Sequence, residues 1–293
     1  MRRVVALSAV VAIAAAACGS GGSKSSETPH PFNTPFTSAR FYPAVVSSDL
    51  SVGSNRVLIG LFNSHDAPVG SPKTQMRVAF YDLAASETKP VVTKETHFVW
   101  AIKGVRGLWE AEDVHFDSDG QWGAALSTSG GGLDSSAKVN FRVNQEAITP
   151  AVGAPAPASD SPTIDDVDHL KEITTDPHPD PRFYKTSIAD AIAHHESFVV
   201  VFATPKYCTS QVCGPTLNIV KRIAPNFPKM TFIHVEVYTN LSKPSALKPA
   251  PAAVQWRLPS EPWTFVVDAH GNVAARFEGT MRPAELKAAI KNL

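Results

Sequence analysis

A proline-rich stretch divides the chain into two segments whose hydrophobic patterns differ. Residues 148–182 carry repeated Pro and Ala, then acidic residues, then Pro again. Repeated prolines favour an extended, semi-stiff connector over a packed segment. We therefore predict a linker at 148–182 between folded units at 39–147 and 183–293, which suits a chain of 293 residues.

In the first unit, apolar and polar residues alternate as they do in β-strands. In residues 138–143, Val139, Phe141 and Val143 share one face while polar side chains share the other. The motif "DSDG" at 117–120 is typical of a hairpin, because Asp-Gly tolerates positive φ. Similar runs rich in branched and aromatic residues lie at 57–62, 76–83, 96–102, 113–116 and 121–128. With no helical stretch between them, they predict an all-β sandwich of the immunoglobulin-like kind.

The second unit alternates between strand and helix patterns. Residues 198–203, "FVVVFA", are continuously apolar, as in a strand buried on both faces of a sheet. Ser187 and Asp190 form a capping-box-like start for a short helix. Further strands are predicted at 231–238, 263–269 and 273–279, and further helices at 215–224, 252–258 and from about Pro283. This order predicts a compact α/β domain.

The amino terminus has the pattern of a secretory signal. Arg2 and Arg3 precede an apolar run that is too short for a comfortable membrane span. The run ends in "AAAC", which resembles a bacterial lipobox and implies a signal peptide at 1–18 with acylation of Cys18. The alternative is an ordinary secretory signal, with Cys18 lost or left free. Residues 19–38 are rich in Gly, Ser and Pro and predict a flexible tether.

Charge and cysteine content narrow the compartment and the partners. Twenty-seven basic and twenty-seven acidic residues balance, so overall charge does not point to nucleic acid. Of the three cysteines, Cys18 is assigned to the lipid, which leaves Cys208 and Cys213. In a lipid-anchored protein on the extracytoplasmic face of the cell membrane, this pair predicts a disulfide.

The second unit resembles the thioredoxin superfamily, and the resemblance covers 183–293. "VVVFATPKYC" is similar to the strand and loop that lead to the active-site cysteine of that family. "CGPT" at 213–216 resembles its Cys-Gly-Pro-Cys motif, with Thr216 at the last position. "AVQWRLPSEPWTFVVDAHGNVAARFEG" resembles its helix, cis-proline turn and terminal hairpin, which makes Pro262 the candidate cis-proline. The chain as a whole is most similar to thioredoxin-like, or redoxin, lipoproteins of bacteria.

This resemblance implies a thiol–disulfide oxidoreductase that acts on client proteins and exchanges electrons with a redox partner, without a cofactor. Cys208 and Cys213 are the implied catalytic pair. Pro262 would leave the backbone of Glu261 facing the client, and Tyr207 and Trp263 are candidates to line that contact.

Two departures from the family bear on the mechanism. Four residues separate the cysteines instead of two, and apolar Val200 or Val201 stands where thioredoxins bury an acid. An uninterrupted helix cannot bring residues i and i+5 together, so "TSQV" must include a turn. Alignment on the strand makes Cys208 the attacking residue, whereas the free amides of a helix start favour Cys213. We take Cys208 as the attacker and leave the second alignment open.

Three other functions fit parts of the pattern. A copper carrier similar to the Sco family would use the two thiolates with His234 or His270. A peroxiredoxin-like peroxidase is disfavoured, because the residue three before Cys208 is Pro205 instead of a hydroxyl residue, and for Cys213, which has Ser210 there, the earlier proline is out of register. A non-enzymatic surface lipoprotein would bind a partner through its sandwich and keep the disulfide as a structural element. The sandwich itself is assigned no site, since "DSDGQW", His97 and His115 are all typical of turns and structural histidines.

Overall fold

The computed structural model describes Phe32 and residues 41–293. In this part of the chain fourteen strands form four sheets, so the fold is β-rich as predicted. The predicted signal peptide, Cys18 and the tether lie outside the described residues, apart from Phe32. Within the described part, no helix combines the length and the apolar character that a membrane crossing needs.

Eight strands before residue 148 form two antiparallel four-stranded sheets. They are β1 Tyr42–Val45, β2 Gly53–Phe62, β3 Gln75–Asp82, β4 Val92–Glu95, β5 His97–Ile102, β6 Arg106–Phe116, β7 Gly120–Ser129 and β8 Ser135–Val143. The strand orders are β1-β2-β6-β5 and β4-β3-β7-β8. Both sheets contribute to one core, whose largest side chains are Trp109, Trp122, Phe80 and Phe116, each 0% exposed. The first half is therefore a sandwich of two sheets.

The "DSDG" motif does not close a hairpin, and that part of the sequence prediction is wrong. It joins β6 to β7, which belong to different sheets. Gly120 has φ of +115°, so the motif supplies the backbone freedom expected of it, but at a crossing between sheets. Phe116 and Trp122 on either side of the crossing meet edge to face at 4.7 Å. Packing in the core, and not the turn, decides which strands pair.

The second half contains the other six strands. They are β9 Phe198–Phe202, β10 Thr231–Val235, β11 Tyr238–Thr239, β12 Lys248–Pro249, β13 Trp263–Val267 and β14 Val273–Glu278. Four of them form a sheet in the order β10-β9-β13-β14, and β11 pairs with β12. β10 runs parallel to β9, while β13 is antiparallel to both β9 and β14.

Helices cover both faces of the four-stranded sheet. They are α1 Ile188–Ala193, α2 Cys213–Ile223, α3 Pro251–Gln255 and α4 Pro283–Lys291. All five residues of β9 are 0% exposed, which confirms the strand expected from "FVVVFA". Val199 and Val201 pack with α2 and α4, whereas Val200 packs with α1 and α3 on the opposite face. β9 thus ends in the middle of a layered core, directly before the cysteine loop.

The segment predicted as a linker, 148–182, instead packs against the second half. The Ala156 amide donates to the Gly271 carbonyl at 2.8 Å, and the Trp256 indole donates to Ser159 at 3.1 Å. Prolines hold the backbone extended, but the amides, carbonyls and hydroxyls between them remain free to bond to neighbouring loops. Partly buried apolar side chains anchor the segment to the second core, namely Ile164, Leu170 and Ile173.

A buried ionic network joins the two halves. Arg56 of β2 donates from Nε to Glu110 at 2.9 Å and to Glu285 of α4 at 2.8 Å. Its Nη2 also donates to the Thr280 carbonyl at 2.9 Å. Arg282 approaches Glu110 from the second half at 3.0 Å. Since the Glu110 side chain is 0% exposed, these bonds are little screened by solvent.

Replacing Arg56 tests how much this network stabilises the protein. We expect Arg56→Ala to lower the free energy of unfolding by about 3 to 5 kcal/mol, because it leaves buried carboxylates without their cation. Urea unfolding followed by circular dichroism measures the change.

Arg77→Ala is the matched control. Arg77 pairs with Glu95 at 3.4 Å, but the two side chains are 63% and 76% exposed. Exposed pairs contribute at most about 1 kcal/mol, so this variant should lose little stability. If Arg56→Ala costs no more than Arg77→Ala, the network does not hold the halves together.

Candidate functional site

The two cysteines form the predicted disulfide. Cys208 lies in the loop after β9, and Cys213 is the first residue of α2, with 6.0 Å between their Cα atoms. The loop between them contains the turn that the spacing requires. Its Gln211 amide donates to the Cys208 carbonyl at 3.1 Å, and Gln211 has φ of +62°.

The two sulfurs have different environments. Cys208 is 8% exposed and Cys213 is 0% exposed. The Cys213 amide, at the amino end of α2, donates to Sγ of Cys208 at 3.3 Å. The Ser210 hydroxyl lies 3.2 Å from the same sulfur. After reduction, the amide and the helix dipole would stabilise a thiolate on Cys208, and that thiolate is the more accessible one.

Glu261 brings a carboxylate to the disulfide. The Glu261–Pro262 peptide bond is cis, which confirms the prediction for Pro262. A carboxylate oxygen of Glu261 and the sulfurs of Cys208 and Cys213 all lie within 4.8 Å of one another. The backbone amide of Thr204 donates to this carboxylate. Its Oε2 is buried and has no hydrogen-bond partner among the described residues.

The surroundings of Glu261 raise the pKa of its carboxyl group. Burial raises the pKa of Glu261 to about 7, the Thr204 amide opposes this rise, and the nearby charge of Glu236 adds to it. Glu236 is itself only 5% exposed and accepts from Thr174 and Thr175. Glu261 can therefore gain and lose a proton near neutral pH beside both sulfurs.

The Glu261 side chain was missed by the sequence analysis, which assigned only its backbone to the site. Val200 and Val201 are 0% exposed and apolar, so β9 supplies no acid beneath the cysteines. The carboxylate comes instead from the loop before β13. The signal in the sequence was an acidic residue directly before Pro262, in the loop expected to face the cysteines.

The two predicted aromatic contacts have different outcomes. Tyr207 is half-buried beside Cys208, and its hydroxyl donates to the Leu241 carbonyl at 2.6 Å. Trp263 is 2% exposed and stacks on Phe265 with ring centroids 5.6 Å apart. It is the first residue of β13 and its ring packs in the core.

The sandwich contacts the cysteine loop directly. Arg106, at the start of β6, donates from Nη1 to the Ser210 carbonyl at 3.1 Å. Val212, just before α2, packs in an apolar cluster with sandwich residues. These sandwich residues are Leu58, Val99, Ala101 and Leu108. The loop is thus held on one side by the sandwich, while Thr209 and Gln211 remain exposed.

The histidines proposed for copper are not among the donors grouped with the sulfurs. His234 is buried, with Nδ1 2.7 Å from the Tyr184 hydroxyl and Nε2 2.9 Å from the Ala203 carbonyl. Burial lowers the pKa of His234, as suits a neutral structural ring. His270 is exposed in the turn before β14. In the described part of the chain, the donors that meet at the disulfide are the two sulfurs and Glu261.

A second acidic cluster is Glu110, Glu112 and Glu285 at the contact between the halves. Arg56 and Arg282 already bond to these carboxylates. Arginine guanidinium groups therefore balance the charge that a metal ion would otherwise have to neutralise.

No protein-family model matches this sequence, and no curated protein shows significant similarity to it. The geometry of the site is therefore the basis on which we assign a function.

The raised pKa of Glu261 predicts a specific pH dependence of stability. The pKa of Glu261 is about 7 in the folded protein and lower in the unfolded chain, so the folded protein binds this proton more tightly than the unfolded chain does. The stabilisation is complete below the unfolded pKa, near pH 4.5, and is lost as the pH rises toward 7. Glu261→Gln, which mimics the protonated acid, should gain about 1 to 2 kcal/mol over the wild type between pH 4 and pH 8, after allowance for solvent screening.

Urea unfolding of the oxidised proteins at pH 4, 6 and 8 measures this difference. Glu95→Gln neutralises an exposed carboxylate and controls for the loss of one surface charge. A stability difference between Glu261→Gln and wild type that does not change with pH would show that the Glu261 carboxyl is not perturbed.

Proposed function

We propose that this protein is a membrane-anchored, extracytoplasmic thiol–disulfide oxidoreductase that acts on protein disulfides through Cys208 and Cys213. The observation that carries the proposal is the hydrogen bond from the Cys213 amide to Sγ of Cys208 at the amino end of α2. Such a position stabilises the thiolate that exchange requires. The titratable carboxylate of Glu261 beside both sulfurs is what an exchange site needs and a structural disulfide does not.

The architecture around the sulfurs supports a thioredoxin-like α/β domain at 183–293. A buried central strand, β9, leads into the cysteine loop, and a helix begins at the second cysteine. The loop that carries the cis Pro262 faces the sulfurs, and helices cover both faces of the sheet. The two packed sheets of the first half support an immunoglobulin-like sandwich in the same way.

In the proposed reaction, the thiolate of Cys208 attacks a disulfide of the client. A bond forms between Sγ of Cys208 and one client sulfur, and the other client sulfur leaves as a thiolate. Cys213 then loses its proton and attacks Sγ of Cys208. This step forms the Cys208–Cys213 disulfide and releases the second client thiolate. The client is reduced by two electrons and the protein is oxidised by two, and the reverse sequence oxidises a client dithiol.

The difference in exposure between the two cysteines supports the proposed roles. Cys208 is the more exposed residue of the pair, so in this proposal it is the one that meets the client. Cys213 is fully buried and lies behind it. A buried thiol that can reach only its partner sulfur suits the resolving step.

The proposed setting follows from the amino-terminal sequence. Acylation of Cys18 would anchor the protein on the extracytoplasmic face of the cell membrane, and residues 19–38 would separate the folded part from the lipid. A second redox protein or a small thiol would restore the reactive state of the pair after each turnover.

A second candidate function is a surface-binding lipoprotein with a structural disulfide. The observation in its favour is burial, because the sandwich holds the cysteine loop and leaves Cys208 only 8% exposed. In that case the exposed surface of the sandwich would bind the partner, and removal of both cysteines would leave binding intact.

Cysteine variants distinguish the two functions. Because Cys213 resolves the intermediate, Cys213→Ser should accumulate a covalent mixed disulfide with a disulfide-bonded client peptide. Cys208→Ser should trap at least about tenfold less, since its remaining thiol is buried and lacks the helix amide. Non-reducing electrophoresis and mass spectrometry measure the adducts.

The double variant Cys208→Ser/Cys213→Ser provides the background. Preferential trapping by Cys208→Ser would reverse the two roles. If neither single variant forms an adduct above that background, the disulfide is structural and the oxidoreductase proposal fails.

A further inference from the structure

The resolving step requires a group that accepts the proton of the Cys213 thiol. Cys213 must give up its proton before its sulfur can attack Cys208, because the thiolate is the nucleophile in exchange. The side chain of Cys213 is 0% exposed, so bulk water has no direct contact with its thiol. The strand that precedes the cysteines offers only apolar side chains at the positions beneath them, Val200 and Val201. The proton must therefore pass to a group at the site itself.

Glu261 is positioned to accept it. Its carboxylate lies within 4.8 Å of Sγ of Cys213 and of Sγ of Cys208, a separation that a direct contact or one intervening water can span. One oxygen of this carboxylate is buried and has no donor among residues 41–293 or Phe32. Buried polar atoms are normally satisfied, so an unpartnered acceptor on a carboxylate that lies beside both sulfurs needs a physical reason. Donation from the Cys213 thiol to this carboxylate after reduction would supply one.

From this geometry we infer that Glu261 is the general base that deprotonates Cys213 in the resolving step, an inference that rests on the proposed exchange reaction. It assigns the Glu261 side chain a catalytic role that differs from backbone contact with a client.

The proton and the electrons balance in this step. The Cys213 thiol passes its proton to the Glu261 carboxylate as its sulfur bonds to Sγ of Cys208. The bond between Cys208 and the client sulfur breaks, and the electron pair leaves with the client. The protonated Glu261 then gives its proton to the departing client thiolate or to solvent. The sum is the oxidation of one protein dithiol and the reduction of one client disulfide.

The charges around Glu261 suit a base that works near neutral pH. Glu236 faces it from the segment after β10, and Tyr238 faces it from β11. Burial and then the charge of Glu261 raise the pKa of the Tyr238 phenol, which places the two side chains close together. Burial and Glu236 bring the pKa of Glu261 to about 7, whereas an exposed carboxylate would be too weak a base. The cysteines are the remaining titratable groups of the donor cluster that contains Glu261.

The test separates the two chemical steps in one reaction. The reduced protein is mixed, in a stopped-flow instrument, with an aromatic disulfide that releases one coloured thiolate in each step. The first release reports attack by Cys208, and the second reports attack by Cys213. Rates are measured from pH 5.5 to 8.5 for the wild type, Glu261→Gln and Glu261→Asp.

Glu261→Gln should slow the second release at pH 7 by about 10- to 100-fold, at the lower end of what general bases contribute. The first release should change by less than about threefold, because the Cys213 amide and the helix still stabilise the thiolate of Cys208. In the wild type the second rate should level off above about pH 7, when Glu261 is ionised. In Glu261→Gln it should keep rising about tenfold per pH unit, since Cys213 must then ionise unaided.

Two further variants test whether Glu261→Gln acts only by disturbing the structure of the loop. Glu278→Gln makes the same charge change, and its carboxylate bonds to Ser260 of the same loop at 2.8 Å but lies outside the donor cluster at the sulfurs. It should leave both releases within about twofold of wild type. Glu261→Asp keeps a carboxylate and should restore the levelling of the pH profile even if its rate is lower.

The outcomes are distinct. An unchanged second release in Glu261→Gln, with wild-type exchange intact, overturns the role of Glu261 alone. Equal slowing of both releases, with an unaltered pH profile, also overturns it, since that result indicates a disturbed loop. A wild type that releases no thiolate overturns the proposed function, and the inference falls with it.

Discussion

The buried contact of Arg56 with Glu110 and Glu285 is the interaction on which the arrangement of the two halves depends. A guanidinium suits this place because it can bond to carboxylates and carbonyls from several directions at once. By bonding β2 to α4, it holds the β1-β2-β6-β5 sheet of the sandwich against the second half. In that position Arg106 of the sandwich bonds to the cysteine loop, and Val212 of the loop packs against apolar side chains of the sandwich. The sandwich therefore forms part of the wall of the candidate site.

The site itself is assembled from three elements, each with a separate physical cause. β9 is buried on both faces and leads directly into the loop that carries Cys208. α2 begins at Cys213 and directs its free amide to the neighbouring sulfur. The loop before β13 brings the carboxylate of Glu261 to the same point. Together they bring two cysteine sulfurs and a carboxylate oxygen within 4.8 Å of one another.

Features formed by residues close together in the chain could be predicted from the sequence. The continuous apolar run of β9, the Ser187 cap of α1 and the Cys208–Cys213 pairing were all predicted and are present. Each depends on residues close in sequence, such as the Ser187 hydroxyl that accepts from the Asp190 amide at 3.0 Å. Propensity and periodicity describe interactions of this range well.

Contacts between residues that are distant in the sequence could not be predicted in the same way. "DSDG" looks like a hairpin turn, but core packing assigns β6 and β7 to different sheets. The prolines of 148–182 predicted an extended, semi-stiff connector, whereas polar groups between them bond to distant loops. The sequence did not decide between a client contact and a core position for Trp263, which packs against Phe265 in the core. The Glu261 side chain reaches the cysteines across more than forty positions of sequence, a proximity that no local pattern encodes.

The reduction potential of the Cys208–Cys213 pair tests the central claim most directly. It is measured in the soluble form by equilibration in graded thiol buffers followed by quantitative alkylation. Stabilisation of the Cys208 thiolate favours the reduced state, so we expect a potential above about −270 mV, in the range of exchange-competent pairs. A potential below about −300 mV would contradict it, since a disulfide that resistant to reduction is structural.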